Sequence, residues 1–406
     1  MRAKVRVHDA TVGKLELTGD LTVFRFDPAY LAMPERPTLG RWFEDRLTPD
    51  LVVKGPHSQL PPFFQNYLPE RGSALRELLA RRAGVSTNRE LSLLCALGED
   101  LPGAVVVERG PTGEDPALDG EAPPESDHKP SSGPLRFSLA GMQLKLSVLK
   151  DETHYTFPVT GVGGRWILKI PTPSLPGIAE NEHAMMRWAK RAGIIVPDVH
   201  LIRLGDVVNL PEGLANPEER GLLVERFDRP RDGGPRVHQE DFAQVLGVAP
   251  TDKYGRSAGV TYDRLGKIIA TLSGPSDFEE FVRRLVFNLL CQNPDAHLKN
   301  WSFWYPDRRR PRLSPAYDLV SAAIYPSIHK ELACRLANEW DPNAVRASHF
   351  GKLASRAGFD ATWGVALAEA AATRIREAWK VVDDDVPMPE GLQASLEKHL
   401  SATRLP

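Results

Sequence analysis

The chain has 406 residues, enough for two or three domains with separate cores, and its 42% hydrophobic and 26% charged composition is that of a globular protein. Its 51 basic and 53 acidic side chains give a formal charge of −2, which argues against a protein whose main task is to coat nucleic acid. Three scattered cysteines, Cys95, Cys291 and Cys334, form neither a disulfide framework nor a CxxC metal pair. With no N-terminal apolar segment and no long apolar run, we expect a cytoplasmic protein.

Residues 1–107 have the pattern of a small α/β domain. Alternating apolar and polar residues in KVRVHDATVGKLELTGDLTVFRF predict two or three antiparallel strands. GSALRELLARRAG has helical periodicity and ends at a glycine, and LSLLCALG predicts another short helix. Residues 108–134 are rich in Pro, Gly, Ser and acidic residues, so they cannot bury enough apolar surface to fold and predict a flexible linker.

Beyond the linker, residues 135–227 are rich in predicted strands and residues 228–406 are mainly helical. Strands are predicted in LRFSLAGMQLKLSVLK, RWILKIP, VPDVHLIRLGD and GLLVERFD, with one helix in NEHAMMRWAKRAG. The second region has helical periodicity in QEDFAQVLG, YDRLGKIIATLS and DFEEFVRRLVFNLLCQN. The fold class is therefore α+β, with a strand-rich lobe followed by a helical lobe.

The segment FSLAGMQLKLSV predicts a phosphate loop. Its small residues Ser138, Ala140 and Gly141 allow backbone N–H groups to approach phosphate oxygens. It matches neither GxGxxG nor a Walker A sequence, and a strand with a tight turn is the alternative.

Lys169 stands inside the apolar strand RWILKIP, where an ammonium group is costly to bury unless it is paired. The following helix, AENEHAMMRWAKRAG, offers Glu180 and Glu182, and the spacing does not choose between them. Kinases pair a strand lysine with a helix glutamate so that the lysine reaches the nucleotide phosphates. An edge-strand lysine extending to solvent is the alternative.

The junction of the two lobes falls in LLVERFDRP, where a strand ends at Glu225, Arg226 and Phe227. In a bilobed kinase the hinge that holds the adenine through its backbone falls at this point. An ordinary strand end is the alternative.

The stretch NPDAHLKNWSF carries Asp295 and Asn300 in the spacing D-x-x-x-x-N. In phosphoryl transfer such an aspartate accepts the proton of the attacking hydroxyl, and the asparagine binds magnesium. Asp318 follows the predicted hairpin WSFWYPDRRRPRLSPAYD, whose second strand is expected to end at it. The carboxylate of Asp318 and the side-chain amide oxygen of Asn300 are the kind of ligand that Mg²⁺ prefers. A polar turn after a helix and a helix-capping aspartate are the alternatives.

These segments occur in the order found in kinases, and that order predicts a kinase although each segment is a weak signal alone. The chain resembles the HipA family of serine/threonine kinase toxins over nearly its whole length. The segments that carry this resemblance are FSLAGMQLKL, WILKIP, ENEH, VERFDR, QEDFAQVLG, NPDAHLKNWSF and SPAYDLVSA. FFQNYLPERGSALRELLARRAG is similar to the N-terminal domain of that family, although LPERG replaces the commoner LPEG and the linker is long. The resemblance implies a bilobed protein-kinase-like fold with an additional small N-terminal α/β domain.

The resemblance also implies an ATP- and Mg²⁺-dependent enzyme in which Asp295 accepts the proton and Asn300 and Asp318 bind the metal. Glu182 matches the family better than Glu180, and Ser138 matches a serine that some members autophosphorylate to switch themselves off. Lys299 is expected to be catalytic together with Asp295 and Asn300. The expected nucleotide-site residues are Ala140, Gly141, Met142, Gln143, Leu144, Lys145, Lys169, Glu182, Glu225, Arg226, Phe227, His297, Leu298, Tyr317 and Asp318.

The implied partner is a HipB-like antitoxin with a helix-turn-helix fold, through which any DNA contact would come, and the implied substrate class includes aminoacyl-tRNA synthetases. The basic turn at Arg308–Arg312 is expected to be a solvated face. A catalytically silent kinase fold acting as a corepressor is one alternative, against which the intact Asp295, Asn300 and Asp318 set argues. A small-molecule phosphotransferase is another, against which the whole-length similarity argues.

Overall fold

The computed structural model describes residues 1–110, 144–150, 155–156, 164–210, 214–381, 386–403 and 405. Within these residues the chain forms an N-terminal domain, a strand-rich lobe and a helical lobe, here called the N-lobe and the C-lobe. Five predicted site residues lie outside the described residues, namely Ser138, Ala140, Gly141, Met142 and Gln143. No helix in the described part of the chain combines the length and the apolar character needed to cross a lipid bilayer.

An antiparallel sheet and short helices form the N-terminal domain. Its strands, which lie in the order β4-β3-β2-β1-β5, are β1 (Arg2–Val7), β2 (Ala10–Thr18), β3 (Leu21–Phe26), β4 (Val52–Lys54) and β5 (Val105–Arg109). Its helices are α1 (Pro28–Leu31), α2 (Arg41–Glu44), α3 (Pro62–Gln65), α4 (Ala74–Arg82) and α5 (Glu90–Leu97). Alternation along β1 buries Ala3, Val5 and Val7 in one core with Phe24 and Phe64. The strands and the two helices predicted here are therefore confirmed.

A six-stranded sheet and one long helix form the N-lobe. The strands, in the order β10-β7-β6-β8-β11-β9, are β6 (Leu144–Lys150), β7 (Tyr155–Thr156), β8 (Trp166–Ile170), β9 (Val199–Arg203), β10 (Val207–Val208) and β11 (Arg220–Glu225). The helix is α6 (Ile178–Arg191), which buries Met185 and Trp188 in the core of the C-lobe. Leu144 and Lys145, expected in the phosphate loop, instead begin β6, because Lys145 pairs with Lys169 in the ladder between β6 and β8.

Helices dominate the C-lobe. They are α7 (Phe242–Leu246), α8 (Tyr262–Ser273), α9 (Pro275–Leu290), α10 (Ala347–Ala357), α11 (Ala361–Trp379) and α12 (Leu392–Ala402). Phe281 and Phe287 of α9 are fully buried in the largest core of the protein. A small sheet in the order β12-β13-β14 joins them, with β12 (His238–Asp241), β13 (Ser302–Tyr305) and β14 (Arg312–Leu313).

Two expectations for this lobe were wrong. The second strand of the hairpin ends at Leu313 rather than at Asp318, since Pro315 follows closely and cannot donate a ladder hydrogen bond. QEDFAQVLG does not begin as a helix, because its first three residues belong to β12, which pairs with β13.

The N-terminal domain packs against the junction of the lobes. The carboxylate of Asp100 accepts a hydrogen bond from Arg226 at 2.7 Å, and the N–H of Gly103 donates to Asp228 at 2.6 Å. Gly103 has φ +76°, and an added Cβ would lie 2.6 Å from the backbone nitrogen of Gln239. Only glycine allows so close an approach here.

Glu240 of β12 is buried in the same interface. Its carboxylate accepts hydrogen bonds from the backbone N–H of Arg41, at 2.8 Å, and from the hydroxyl of Tyr305. Burial raises the pKa of Glu240 to about 8, and these hydrogen bonds only partly oppose it. The carboxyl is therefore protonated in the folded protein at a pH where it is ionised in the unfolded chain.

This raised pKa makes the stability of the fold depend on pH. The folded state keeps the proton of Glu240 up to about pH 8, so its stabilising contribution is complete at acid pH and is lost as the pH rises towards 8. Glu240→Gln stays neutral and should remove this loss. Between pH 5 and pH 8, the free energy of unfolding of the wild type should fall more than that of the variant, by on the order of a few kcal/mol.

Urea unfolding at a series of pH values measures the difference. Glu218→Gln is the matched control, because the side chain of Glu218 is 77% exposed. Parallel pH curves for the wild type and Glu240→Gln would contradict the expected linkage.

Candidate active site

Charged side chains from four segments meet between the two lobes. Lys169 of β8 donates hydrogen bonds to Glu182 of α6 and to Asp318, which follows the C-lobe hairpin. Lys145 of β6 donates to the second carboxylate oxygen of Asp318 at 2.6 Å. Lys169 and Glu182 are 3% and 1% exposed. The sequence spacing left Glu180 and Glu182 open, and the structure places Glu182 against Lys169.

Backbone geometry holds this cluster together. Lys145 and Lys169 are cross-strand neighbours in the ladder between β6 and β8, so both ammonium groups reach the same carboxylate. Asn181 of α6 exchanges two hydrogen bonds of 2.9 Å with the backbone of Ser321 and thereby ties the helix to the segment after Asp318. Asp318 itself has φ +55°, a left-handed conformation that is strained for a non-glycine residue and is common at functional sites.

Burial and ion pairing oppose each other at these groups. Burial alone would lower the pKa of Lys169, but Asp318 and Glu182 outweigh it and raise that pKa above its usual range. Burial alone would raise the pKa of Asp318, but Lys145 and Lys169 outweigh it and hold that pKa well below its usual value. Burial raises the pKa of Glu182, which shares Lys169 with Asp318. Asp318 is therefore the most firmly ionised carboxylate of the cluster.

The D-x-x-x-x-N loop lies beside this cluster. The Nδ2 of Asn300 donates to the backbone carbonyl of Asp295 at 3.1 Å, which closes the loop. The carboxylate of Asp295 accepts a hydrogen bond of 2.8 Å from the hydroxyl of Tyr254. Burial raises the pKa of Asp295, and the hydrogen bond from Tyr254 only partly opposes the shift. Asn300 and Asp318 line one small cavity.

The donor set at this cavity fits a magnesium ion. Asp318 is ionised, and Asn300 uses its Nδ2 in the loop, so that its Oδ1 makes no hydrogen bond within the described residues. Mg²⁺ prefers such hard oxygen ligands and takes few of them from the protein. The remaining ligands are usually phosphate oxygens and water.

Phe227 and Tyr317 lie where the hinge meets the C-lobe. Their rings stack with centroids 6.0 Å apart. The backbone N–H groups of Glu225 and Arg226 already donate to N-lobe carbonyl groups, at 2.9 and 2.8 Å. In the described part of the chain the N–H of Phe227 makes no hydrogen bond, so it is the available hinge donor.

The side chains of the other two predicted hinge residues are engaged in ion pairs with neighbouring residues. Glu225 accepts a hydrogen bond of 2.8 Å from Arg231. Arg226 is 6% exposed and bonds with Asp228 at 3.0 Å and Asp100 at 2.7 Å. Both side chains therefore hold the hinge in place, and contact of these two residues with a nucleotide stays a prediction.

The remaining loop residues differ in their surroundings. His297 is 8% exposed, and burial lowers its pKa to about 3, so the imidazole is neutral. Leu298 is fully buried in the C-lobe core. The ammonium of Lys299 donates to the carbonyl of Asn66 at 3.0 Å and lies 3.8 Å from Asp241. The ammonium of Lys299 thus contacts the N-terminal domain, and its catalytic role stays a prediction.

Two contacts at the site were not anticipated from the sequence. Tyr254 lies 41 residues before Asp295, in the polar stretch DKYGRS, which carries no catalytic motif. Asn181 adjoins Glu182 but bonds to a segment 140 residues away. Neither periodicity nor spacing predicts contacts of this kind.

The fold and this cluster together define the class of the protein: a bilobed α+β fold of the protein-kinase type, with an additional N-terminal domain. Residues 3–108 match the HipA N-terminal domain family, and residues 137–384 match the HipA-like C-terminal domain family. The chain therefore belongs to the HipA family.

Two sequence relatives and one solved structure show how far the similarity extends. Y4dM of Sinorhizobium fredii, a protein provisionally named a kinase, is 38% identical over 99% of this chain and 97% of its own length. The serine/threonine-protein kinase toxin HipA of Shewanella oneidensis is 29% identical over 72% of this chain and 70% of its own length. A structure of Shewanella oneidensis HipA with HipB and operator DNA has the same fold, with a TM-score of 0.74 and 24% identity over 99% of this chain and 96% of that chain.

Removal of the shared ammonium should destabilise the protein. Lys169→Met leaves two carboxylates in the site without their common counter-ion and should lower the free energy of unfolding by about 3 kcal/mol. Lys190→Met is the control, since the side chain of Lys190 is 60% exposed in a 2.7 Å pair with Asp198, and it should cost less than about 1 kcal/mol. Urea unfolding followed by tryptophan fluorescence compares the two. Equal losses would rule out a buried counter-ion at Lys169.

Proposed function

We propose that this protein is a serine/threonine protein kinase that transfers the γ-phosphoryl group of ATP to a protein hydroxyl. The observation that carries the proposal is the contact of Lys169 with both Glu182 and Asp318, beside the loop of Asp295 and Asn300. A strand lysine, a helix glutamate and two further carboxylates in this arrangement are the groups that phosphoryl transfer requires.

Each group has a role in this proposal. Lys169 and Lys145 bind phosphate oxygens, and the backbone N–H of Phe227 donates to the adenine. Asn300 and Asp318 hold Mg²⁺, which when bound neutralises charge on the phosphates. The substrate hydroxyl oxygen forms a bond to the γ-phosphorus while the bond from that phosphorus to the ADP oxygen breaks. The hydroxyl proton passes to the carboxylate of Asp295, which accepts it more readily because burial raises its pKa.

The decisive test is the intact mass of the protein before and after incubation with ATP and Mg²⁺. The wild type should gain one phosphate, which we expect at Ser138, and Asp295→Ala should gain none. Asp360→Asn is the matched control, because Asp360 caps α11 and asparagine caps a helix equally well. A wild-type chain that carries no phosphate at the start and gains none would favour the silent corepressor.

We further propose that the kinase is the toxin of a cytoplasmic toxin–antitoxin pair. The HipA family membership supports this, and so does the HipB bound in the related Shewanella oneidensis structure. In this proposal a HipB-like helix-turn-helix protein is the antitoxin and supplies any contact with DNA. The substrate is a translation component such as an aminoacyl-tRNA synthetase, and phosphorylation of Ser138 switches the kinase off.

Growth of bacteria producing the protein tests this second proposal. The wild type should arrest growth, Asp295→Ala should not, and simultaneous production of the HipB-like partner should restore growth. Aminoacyl-tRNA synthetases from the arrested cells should carry new phosphoserine or phosphothreonine. Equal arrest by Asp295→Ala would exclude phosphoryl transfer as its cause, and phosphate found only on small metabolites would favour a small-molecule phosphotransferase.

A further inference from the structure

Tyr254 is placed to fix the proposed proton acceptor. Its hydroxyl donates a 2.8 Å hydrogen bond to Oδ1 of Asp295, and the other carboxylate oxygen of Asp295 makes no hydrogen bond within the described residues. A carboxylate turns freely about its terminal bond unless a donor holds one oxygen. With Oδ1 held, Oδ2 remains for a substrate hydroxyl.

Several contacts hold the ring of Tyr254 in turn. It meets the ring of His297 edge to face, with centroids 5.6 Å apart, and the ammonium of Lys253 lies 5.7 Å from its centroid. The backbone carbonyl of Lys253 accepts a 3.0 Å hydrogen bond from the N–H of Leu298. The segment that carries Tyr254 is therefore attached directly to the catalytic loop.

The N-terminal domain holds the same segment from the other side. Glu70 accepts a hydrogen bond of 2.9 Å from the ammonium of Lys253, whose side chain is only 18% exposed. Asn66 donates to the carbonyl of Val248 at 2.9 Å and accepts from Lys299 through its own carbonyl at 3.0 Å. These contacts join the N-terminal domain to both segments that surround Asp295.

We propose that Tyr254 is a positioning residue for Asp295, and that the N-terminal domain takes part in catalysis by anchoring Tyr254 through Glu70 and Lys253. This inference rests on the proposed kinase function. Within the described residues no hydrogen bond or ion pair joins Tyr254 to Lys169, Glu182 or Asp318. Removal of Tyr254 should therefore slow the transfer of phosphate and leave nucleotide affinity unchanged.

The test measures single-turnover autophosphorylation at a series of ATP concentrations. Tyr254→Phe should reduce the maximal rate about ten- to a hundredfold, as expected when a catalytic group loses its orientation. The ATP concentration for half-maximal rate should stay within about twofold of the wild-type value. Glu70→Gln should act in the same direction with a smaller effect.

Tyr262→Phe is the matched control. Its hydroxyl also bonds to the catalytic loop, at 3.0 Å, but to the backbone carbonyl of Ala296. Like Tyr254→Phe, this variant removes one hydroxyl that bonds to the loop, but the bond to Asp295 remains, so its maximal rate should stay close to that of the wild type. Thermal unfolding midpoints of both variants show whether either fold is damaged.

The outcomes separate the two proposals. A wild type that incorporates no phosphate overturns the kinase function and this inference with it. An active wild type whose maximal rate is unaffected by Tyr254→Phe overturns the positioning role alone. A faster Tyr254→Phe variant would also overturn it, because the tyrosine would then be blocking Asp295. Equal losses in Tyr254→Phe and Tyr262→Phe would assign the effect to general damage of the loop.

Discussion

An ammonium group buried inside a protein must be paired with carboxylates. The fold therefore has to bring carboxylates to the buried ammonium of Lys169. Its two partners lie on α6 and after the C-lobe hairpin, so the pairing can form only when both lobes are assembled. Lys145 adds a second positive charge to Asp318 and balances the cluster, with two lysines against two acids. The pairing of these charges thus constrains the relative position of the lobes.

The N-terminal domain applies a similar constraint to the hinge. Arg226 and Asp228 are both buried, and part of their hydrogen bonding comes from Asp100 and Gly103 of that domain. Separating the domains would leave buried charges partly unpaired, which costs more than the loss of an exposed ion pair. The domain is therefore a structural component of the kinase-type fold, with contacts at the junction of the lobes and at the loop of Asp295 and Asn300.

The sequence predicts those parts of the molecule that depend on local pattern. Alternation identifies the strands up to Phe26, and periodicity with a terminal glycine identifies α4. The order of short motifs identifies the kinase-type fold, because several weak signals in one order are unlikely to coincide by chance. The sequence spacing alone did not show which glutamate pairs with Lys169, because Glu180 and Glu182 lie only two positions apart. The family resemblance or the structure was needed to choose Glu182.

The features that the sequence did not predict depend on contacts between residues that lie far apart in the chain. The residues of β12 are too few to show a strand period, and their partner β13 lies some sixty residues further along the chain. Lys299 has the residue type expected in a catalytic loop, but Asn66, 233 residues away, determines where its ammonium lies. Tyr254 has no motif around it and is found only because the fold brings it to Asp295.

The contact between Lys299 and Asn66 also bears on how the protein is made. A growing chain emerges from its N-terminus, and domains generally fold as they emerge. The N-terminal domain can therefore fold first and present Asn66 and Glu70 before the loop of Asp295 has been synthesised. The loop gains these partners only after the ribosome has added more than two hundred further residues. Incomplete chains that end before this loop would therefore lack the contacts that join it to the N-terminal domain.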